Sequence, residues 1–210
     1  LLFFFSQYLQ LVEGHSPLAA GLRELPLALA MLFVPLFAGV AARRLGVNRS
    51  VGIGLVLGAA GLVTIAFAES SGSYTWIAVG LAVIGLGAGL AYTLTTDAVV
   101  GAVPASRAGS ASAVSETAYE FGIAVGIAVY GTAFSSKLSS SFRENPAGGK
   151  HAAYADALNT LFWISGAVAL LGGVAALLLI RSRDFVPHGP APTTEGGNTS
   201  SEGAGVPAAA

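Results

Sequence analysis

Apolar residues in this chain come in continuous runs of roughly twenty, separated by short polar segments. Runs of that length suit helices crossing a hydrocarbon layer, whereas a membrane β-barrel alternates polarity along each strand. The pattern predicts one partial span at 1–12 and five complete ones at 18–42, 51–68, 75–100, 110–134 and 157–180. The breaks between them are EGHSP at 13–17, the basic segment ARRLGVNRS at 42–50, ESSGSY at 69–74 and PASRAG at 104–109. The longest break, 135–156, is rich in Ser, Gly and charge, and the pattern predicts a loop there. Pro26 and Pro35 fall inside the second run, which a membrane helix tolerates where neighbours satisfy the freed carbonyls.

Composition sharpens this into a class. The chain is 54% hydrophobic and only 10% charged, with a mean hydropathy of +0.72; soluble domains are about a quarter charged. The expected fold is an all-α membrane bundle over 1–184, followed at 185–210 by a Pro-, Gly-, Ala- and Thr-rich tail that cannot build a core and is expected to be disordered. A net charge of −1 without a basic cluster gives no footing for nucleic acid. The lack of cysteine removes disulfides and thiolate metal sites, and three scattered histidines point to no metal. The chain opens without Met and already inside an apolar run, as expected of a C-terminal fragment.

Lys and Arg in the loops set the expected orientation. Arg43, Arg44, Arg49, Arg107, Arg181 and Arg183 lie at one set of ends; Arg23, Lys137, Arg143 and Lys150 lie at the other, mostly in the long break. Short loops carry the rule, so the first set is expected to be cytoplasmic, and the C-terminus with it.

Candidate chemistry concentrates in SASAVSETAYEFGIAVGIAVYG, at 110–131. Glu116 and Glu120 are one helical turn apart and share a face with Ser112, Ala113, Ile123 and Ile127. Ionisable groups at membrane depth are costly and mark functional sites by default. Two carboxylates there can exchange a proton for a cation, or can serve structure alone by facing a vestibule or pairing with a cation on another helix. Asp97, near the inner end of the fourth complete-or-partial run, is either an interfacial acid or a gate residue paired with Arg107. Gly54 and Gly58, Gly85 and Gly89, and Gly122 and Gly126 have the small-residue spacing that lets helices pack closely in lipid. A nucleotide-binding reading of GLGAG at 85–89 fails, because no strand precedes it. Tyr92, Tyr119 and Tyr130 either line an aromatic path or pack, and Trp76 and Trp163 sit near span ends as anchors.

These segments carry a family resemblance. SQYLQLVEGHSPLAAGL, ARRLG and LTTDAVVGAVPASRAGSASAVSETAYEFGIAVGIAVYG resemble the C-terminal half of the major facilitator superfamily, and within it the fourteen-helix drug/proton antiporters. SETAYEFG, at 115–122, is the most specific part, and the likeness extends over 1–183. GVAARRLGVNR, at 39–49, is similar to the superfamily's loop motif at Gly39, Arg44 and Gly46, with Arg43 standing where the motif has Asp. The resemblance implies spans nine to fourteen of a plasma-membrane efflux pump, with Glu116 and Glu120 receiving cationic substrates or protons. It also implies Arg44 in the gating loop, a proton as coupling ion, no other cofactor, no enzymatic activity, and an N-terminal bundle of the same protein as partner. Two alternatives stay open: a facilitator-type transporter of another solute, such as an endogenous antibiotic, a siderophore or a sugar, and a non-transporting membrane interaction subunit.

Overall fold

The computed structural model describes residues 2–69, 74–144 and 149–179. The expected tail at 185–210 lies outside the described residues, as do Arg181 and Arg183. The elements are α1 (Leu2–Gln7), running into a π-helical turn at Tyr8–Val12, then α2 (Pro17–Leu45), α3 (Val47–Glu69), α4 (Tyr74–Gly101), a 3₁₀ turn at Ala105–Arg107, α5 (Ala108–Glu144) and α6 (Gly149–Leu179). Helices α2 to α6 are each long and apolar enough to cross a membrane.

Local chemistry sets the ends of α2. The Ser16 hydroxyl accepts from the Ala19 amide at 3.3 Å, and Pro17 opens the helix where its missing N–H costs nothing. Arg43 and Arg44 occupy the last turn, where cations complement the helix dipole. The turn expected over 42–50 contracts to one residue, because Gly46 adopts φ +83° and reverses the chain by itself. Its amide still donates to the Ala42 carbonyl at 2.9 Å, and Ser50 Oγ donates to the Gly46 carbonyl at 2.9 Å, so α3 begins at once.

Helix α3 is the hub, packed between α4 and α6, with α2 lying on the other side of α4. Backbone contact explains how α3 and α4 come so close. A methyl group on Gly54 would sit 2.7 Å from the Gly87 carbonyl oxygen, and one on Gly61 would sit 2.7 Å from that of Gly80. Gly85 faces the Leu27 carbonyl and Gly89 faces Met31 and Val34, which brings α2 against α4 in the same way. One core cluster joins Phe4, Phe5 and Leu9 to Ile65, Leu81, Phe134, Leu158, Leu161 and Phe162; a second, at the other end, gathers Val34, Ala38, Val51 and Leu94.

One expectation needs correction. The loop expected at 135–156 is largely helix, since α5 continues to Glu144 and α6 starts at Gly149. The polar composition hid a helical stripe: Phe134, Leu138 and Ser141 recur on one face and pack toward α6. Lys137 Nζ lies 3.2 Å from Asp156 Oδ2, and Ser141 hydrogen-bonds the same carboxylate, so one charge of the extension is paired between the two helices. The glycines of the expected stripes differ in what they meet within this bundle. Methyl groups on Gly58, Gly122 and Gly126 would meet nothing within 4 Å, so none of the three seats a neighbour's side chain. Gly58 lays its own backbone against Gly87, while Gly122 and Gly126 meet no other helix among the described residues.

Candidate functional site

Helices α4 and α5 form an antiparallel hairpin, and their facing residues make the most distinctive polar feature of the bundle. The turn between them is tight: the Arg107 amide donates to the Pro104 carbonyl at 2.8 Å, and Ser110 Oγ donates to the Arg107 carbonyl at 2.8 Å. Two turns into α5, Glu116 accepts a hydrogen bond from the Tyr92 hydroxyl of α4 at 3.4 Å. The Tyr92 ring lies 4.9 Å from that of Tyr119, tilted by 40°. A carboxylate edged by two aromatic rings is the arrangement that attracts organic cations, through its charge and through the rings' electron-rich faces.

Glu120 follows one turn later and, like Glu116, is exposed. Neither forms an ion pair among the described residues, where the pairs are Glu13 with His15 and Arg23, and Lys137 with Asp156. The charge of both acids therefore remains available to a ligand.

The expected gate pair does not form in this structure. Asp97 and Arg107 are both exposed and make no ion pair among the described residues, and Arg44 likewise stands unpaired at the end of α2. Asp97 lies a full turn before the end of α4, while Arg107 belongs to the 3₁₀ turn beyond it.

Sequence reasoning passed over one acid. Glu24 lies seven residues into α2, takes a hydrogen bond from the Ser6 side chain, and keeps one carboxylate oxygen shielded without a partner. The signal was present, as an acid beside Arg23 inside an apolar run. That arginine belongs to a different feature at the far end of the bundle from the α4–α5 turn. Arg23 lies 3.5 Å from Glu13 and 5.2 Å from the Tyr74 ring centre, and its carbonyl accepts from the Tyr74 hydroxyl at 2.8 Å. These groups close one wall of a cavity of about 150 Å³ that Phe5, Tyr8, Leu9 and Phe162 also line. The cavity latches the α1–α2 turn to α4 and contains neither Glu116 nor Glu120.

Among the described residues, no cluster of histidines and acids could hold a metal ion. The arrangement can bind and release cations at carboxylates, and nothing in it resembles an activated nucleophile.

Several known proteins resemble this chain over about two thirds of its length. The multidrug efflux pump LfrA of Mycolicibacterium smegmatis is 42% identical over 135 residues, 64% of this chain and 27% of that protein. The methyl viologen resistance protein SmvA of Salmonella typhimurium is 38% identical over 139 residues, 66% of this chain and 28% of that protein. The multidrug resistance protein Stp of Mycobacterium tuberculosis is 34% identical over 136 residues, 65% of this chain and 25% of that protein. The chain thus spans about a quarter of the length of these relatives. The sequence profile described as Major Facilitator Superfamily matches residues 1–208, so this bundle of membrane-length helices belongs to that superfamily.

Proposed function

We propose that this chain is the C-terminal bundle of a proton-coupled antiporter that exports lipophilic, cationic compounds across the plasma membrane. The observation that carries the reading is the pair of exposed, unpaired carboxylates, Glu116 and Glu120, set beside Tyr92 and Tyr119 in a helix otherwise apolar over its middle turns. A carboxylate can hold a proton or a positively charged compound, but not both. Loading from one side and release to the other then exchanges the two, which is the least machinery that antiport requires. The name of LfrA supports drug efflux and that of SmvA the substrate class, since methyl viologen is itself a flat organic cation.

The rest of the bundle fits that role. Facilitator folds work by rocking two bundles about a site near the midplane. Helices α2 and α5 present exposed apolar side chains along their length, among them Leu32, Leu36 and Phe37, and Phe121, Ile123 and Ile127. We assign these faces to lipid and to an N-terminal bundle. The Arg43, Arg44 and Arg107 ends are assigned to the cytoplasm on the charge rule, which places the C-terminus there too. Asp97, Arg107 and Arg44 are assigned to the cytoplasmic gate, with Asp97 and Arg107 pairing in a state other than this one.

The test uses the full transporter. Glu116→Gln with Glu120→Gln is expected to abolish proton-driven ethidium transport into inverted membrane vesicles, with the protein still folded and inserted. Undiminished transport in that double variant would overturn the proposal.

A further inference from the structure

Beyond α1 the backbone leaves the regular helix and takes a π-helical turn at Tyr8–Val12, closed by the Glu13 amide donating to the Tyr8 carbonyl at 3.1 Å. Turns of this kind are rare and gather at functional sites. This one lies against the cavity of about 150 Å³ at the Arg23 end of the bundle, where Phe5, Tyr8, Leu9 and Glu13 all contribute to the lining.

The walls of that cavity differ in kind. Its floor is apolar and closed, since Phe5, Leu9, Ile65, Leu158 and Phe162 are each at most 3% exposed. The Phe5 and Phe162 rings meet edge to face there, 6.2 Å apart. Its opposite wall is Glu13 and Arg23, whose side chains are each 35% exposed, so this wall is also the mouth. An apolar floor with a few polar groups at one side is the usual construction of a small-molecule site.

Size and charge specify the guest. A space of about this volume in an apolar core takes benzene, whereas drug-sized compounds need about 300 Å³ or more. The mouth carries one carboxylate and one guanidinium, 3.5 Å apart. A cationic guest therefore meets Arg23, an anionic one meets Glu13, and either loses hydration on the apolar floor. An uncharged ring bearing a hydroxyl suits floor and mouth together. His15 and Arg23 both reach the Oε2 oxygen of Glu13, and a carboxylate accepts at about four positions, so the guest's hydroxyl can donate there as well. It can also accept from the fork of guanidinium N–H groups, one of which is on Glu13.

We propose that this cavity is a binding site for uncharged one-ring phenols, separate from the carboxylates of α5. The ring lies against Phe5 and Phe162, and the hydroxyl meets the Glu13–Arg23 pair. The site does not rest on the antiporter reading, and its volume excludes the larger cations assigned to Glu116 and Glu120. Its lining comes from α1, α2, α3, α4 and α6, so an occupant joins five helices at this end of the bundle.

The experiment is a fluorine NMR titration of the purified full transporter in lipid nanodiscs at about pH 8, where an ordinary imidazole is uncharged. Four probes share one ring: para-fluorophenol, fluorobenzene, para-fluorobenzylammonium and para-fluorobenzoate. Empty nanodiscs give the unsaturable uptake by lipid, which is subtracted. The phenol is expected to saturate with a dissociation constant of about 1 mM, in keeping with burial of a single ring. Fluorobenzene, without the hydroxyl, is expected to bind about fivefold more weakly, and the two charged probes to show no saturable binding. Ile77→Trp fills the cavity from a half-buried position and is expected to remove phenol binding; Ala68→Leu fills it from α3 if the first variant does not fold. Arg23→Gln leaves Glu13 at the mouth without the guanidinium and is expected to admit the benzylammonium probe. Absence of saturable phenol binding, persistence of it in a folded filling variant, or equal binding of the charged probes would overturn the site. An Arg23→Gln variant that still rejects the ammonium would overturn the charge selection. The Glu116→Gln, Glu120→Gln double variant is expected to bind the phenol as the parent does, whether or not it transports. Loss of phenol binding there would put the probe at the α5 carboxylates and sink the separate site.

Discussion

Asn159 and Glu24 show how differently a polar residue can sit in an apolar helix. Asn159 Nδ2 on α6 donates to the Ala66 carbonyl on α3 at 2.8 Å, tying the two helices together. Interhelical bonds of this kind contribute about 0.6–2 kcal/mol in membranes, so Asn159→Leu is expected to lower the unfolding free energy in detergent by about 1 kcal/mol. An unchanged melting curve would mean the bond is not formed in the folded protein. Glu24 is the opposite case, a carboxylate with one shielded oxygen unpartnered and no cation paired to it among the described residues. A shielded carboxylate oxygen without a partner is a burden on stability even where the other accepts from Ser6, so Glu24→Gln is expected to leave the melting temperature unchanged or raise it. A marked fall would show that the charge has a partner within the assembled transporter. Much at this scale was legible beforehand. Glu116 and Glu120 stand out in any reading of an apolar helix, but the Tyr92 hydroxyl on Glu116 depends on how α4 and α5 meet, which local spacing does not encode.

At the scale of elements, the runs of apolar residues marked the spans because hydrocarbon thickness fixes their length. They could not mark where helices outrun the membrane. Beyond Phe134 the chain turns polar, yet Leu138 and Ser141 keep a helical stripe against α6 and the helix continues. Glycines give the same lesson. Spacing singled out Gly54, Gly85 and Gly89, which do meet backbone or side chains closely, alongside Gly122 and Gly126, which do not; it passed over Gly61 and Gly80. Which glycine meets a neighbour depends on the register between helices, a non-local quantity. The contrast is testable. A Cβ at Gly61 would lie 2.7 Å from the Gly80 carbonyl oxygen and 2.8 Å from the Ile84 amide nitrogen, neither of which can swing aside. Gly61→Ala is therefore expected to cost about 1–3 kcal/mol through forced separation of α3 and α4. Gly126→Ala meets open space and is expected to be neutral or stabilising by about 0.5–1 kcal/mol, since alanine favours the helix. Equal unfolding midpoints for the two variants would refute this packing.

At the scale of the whole molecule, the free side of α5 connects packing to transport. Gly122 and Gly126 open a shallow strip on that helix, and Phe121, which is 70% exposed, stands next to it with Ile123 and Val125. Lipid chains can cover such a surface but gain nothing from a backbone laid bare at two successive turns. A second helix does gain, because small residues admit close approach. The proposed N-terminal bundle would supply that helix, and rocking between bundles would slide it along the strip. Gly122→Leu therefore separates the two kinds of neighbour. If lipid alone covers the strip, the variant should fold and transport as the parent does. If another bundle closes on it, the variant should keep its melting temperature in this bundle, where a Cβ at this position meets no other residue's atoms within 4 Å beyond its own helix backbone, yet lose proton-driven efflux. Cation binding at Glu116 should survive in that case, since the carboxylate and Tyr92 belong to this chain and are already joined without the second bundle. Intact binding with lost transport is the expected outcome, and full transport would count against a bundle interface on this face of α5.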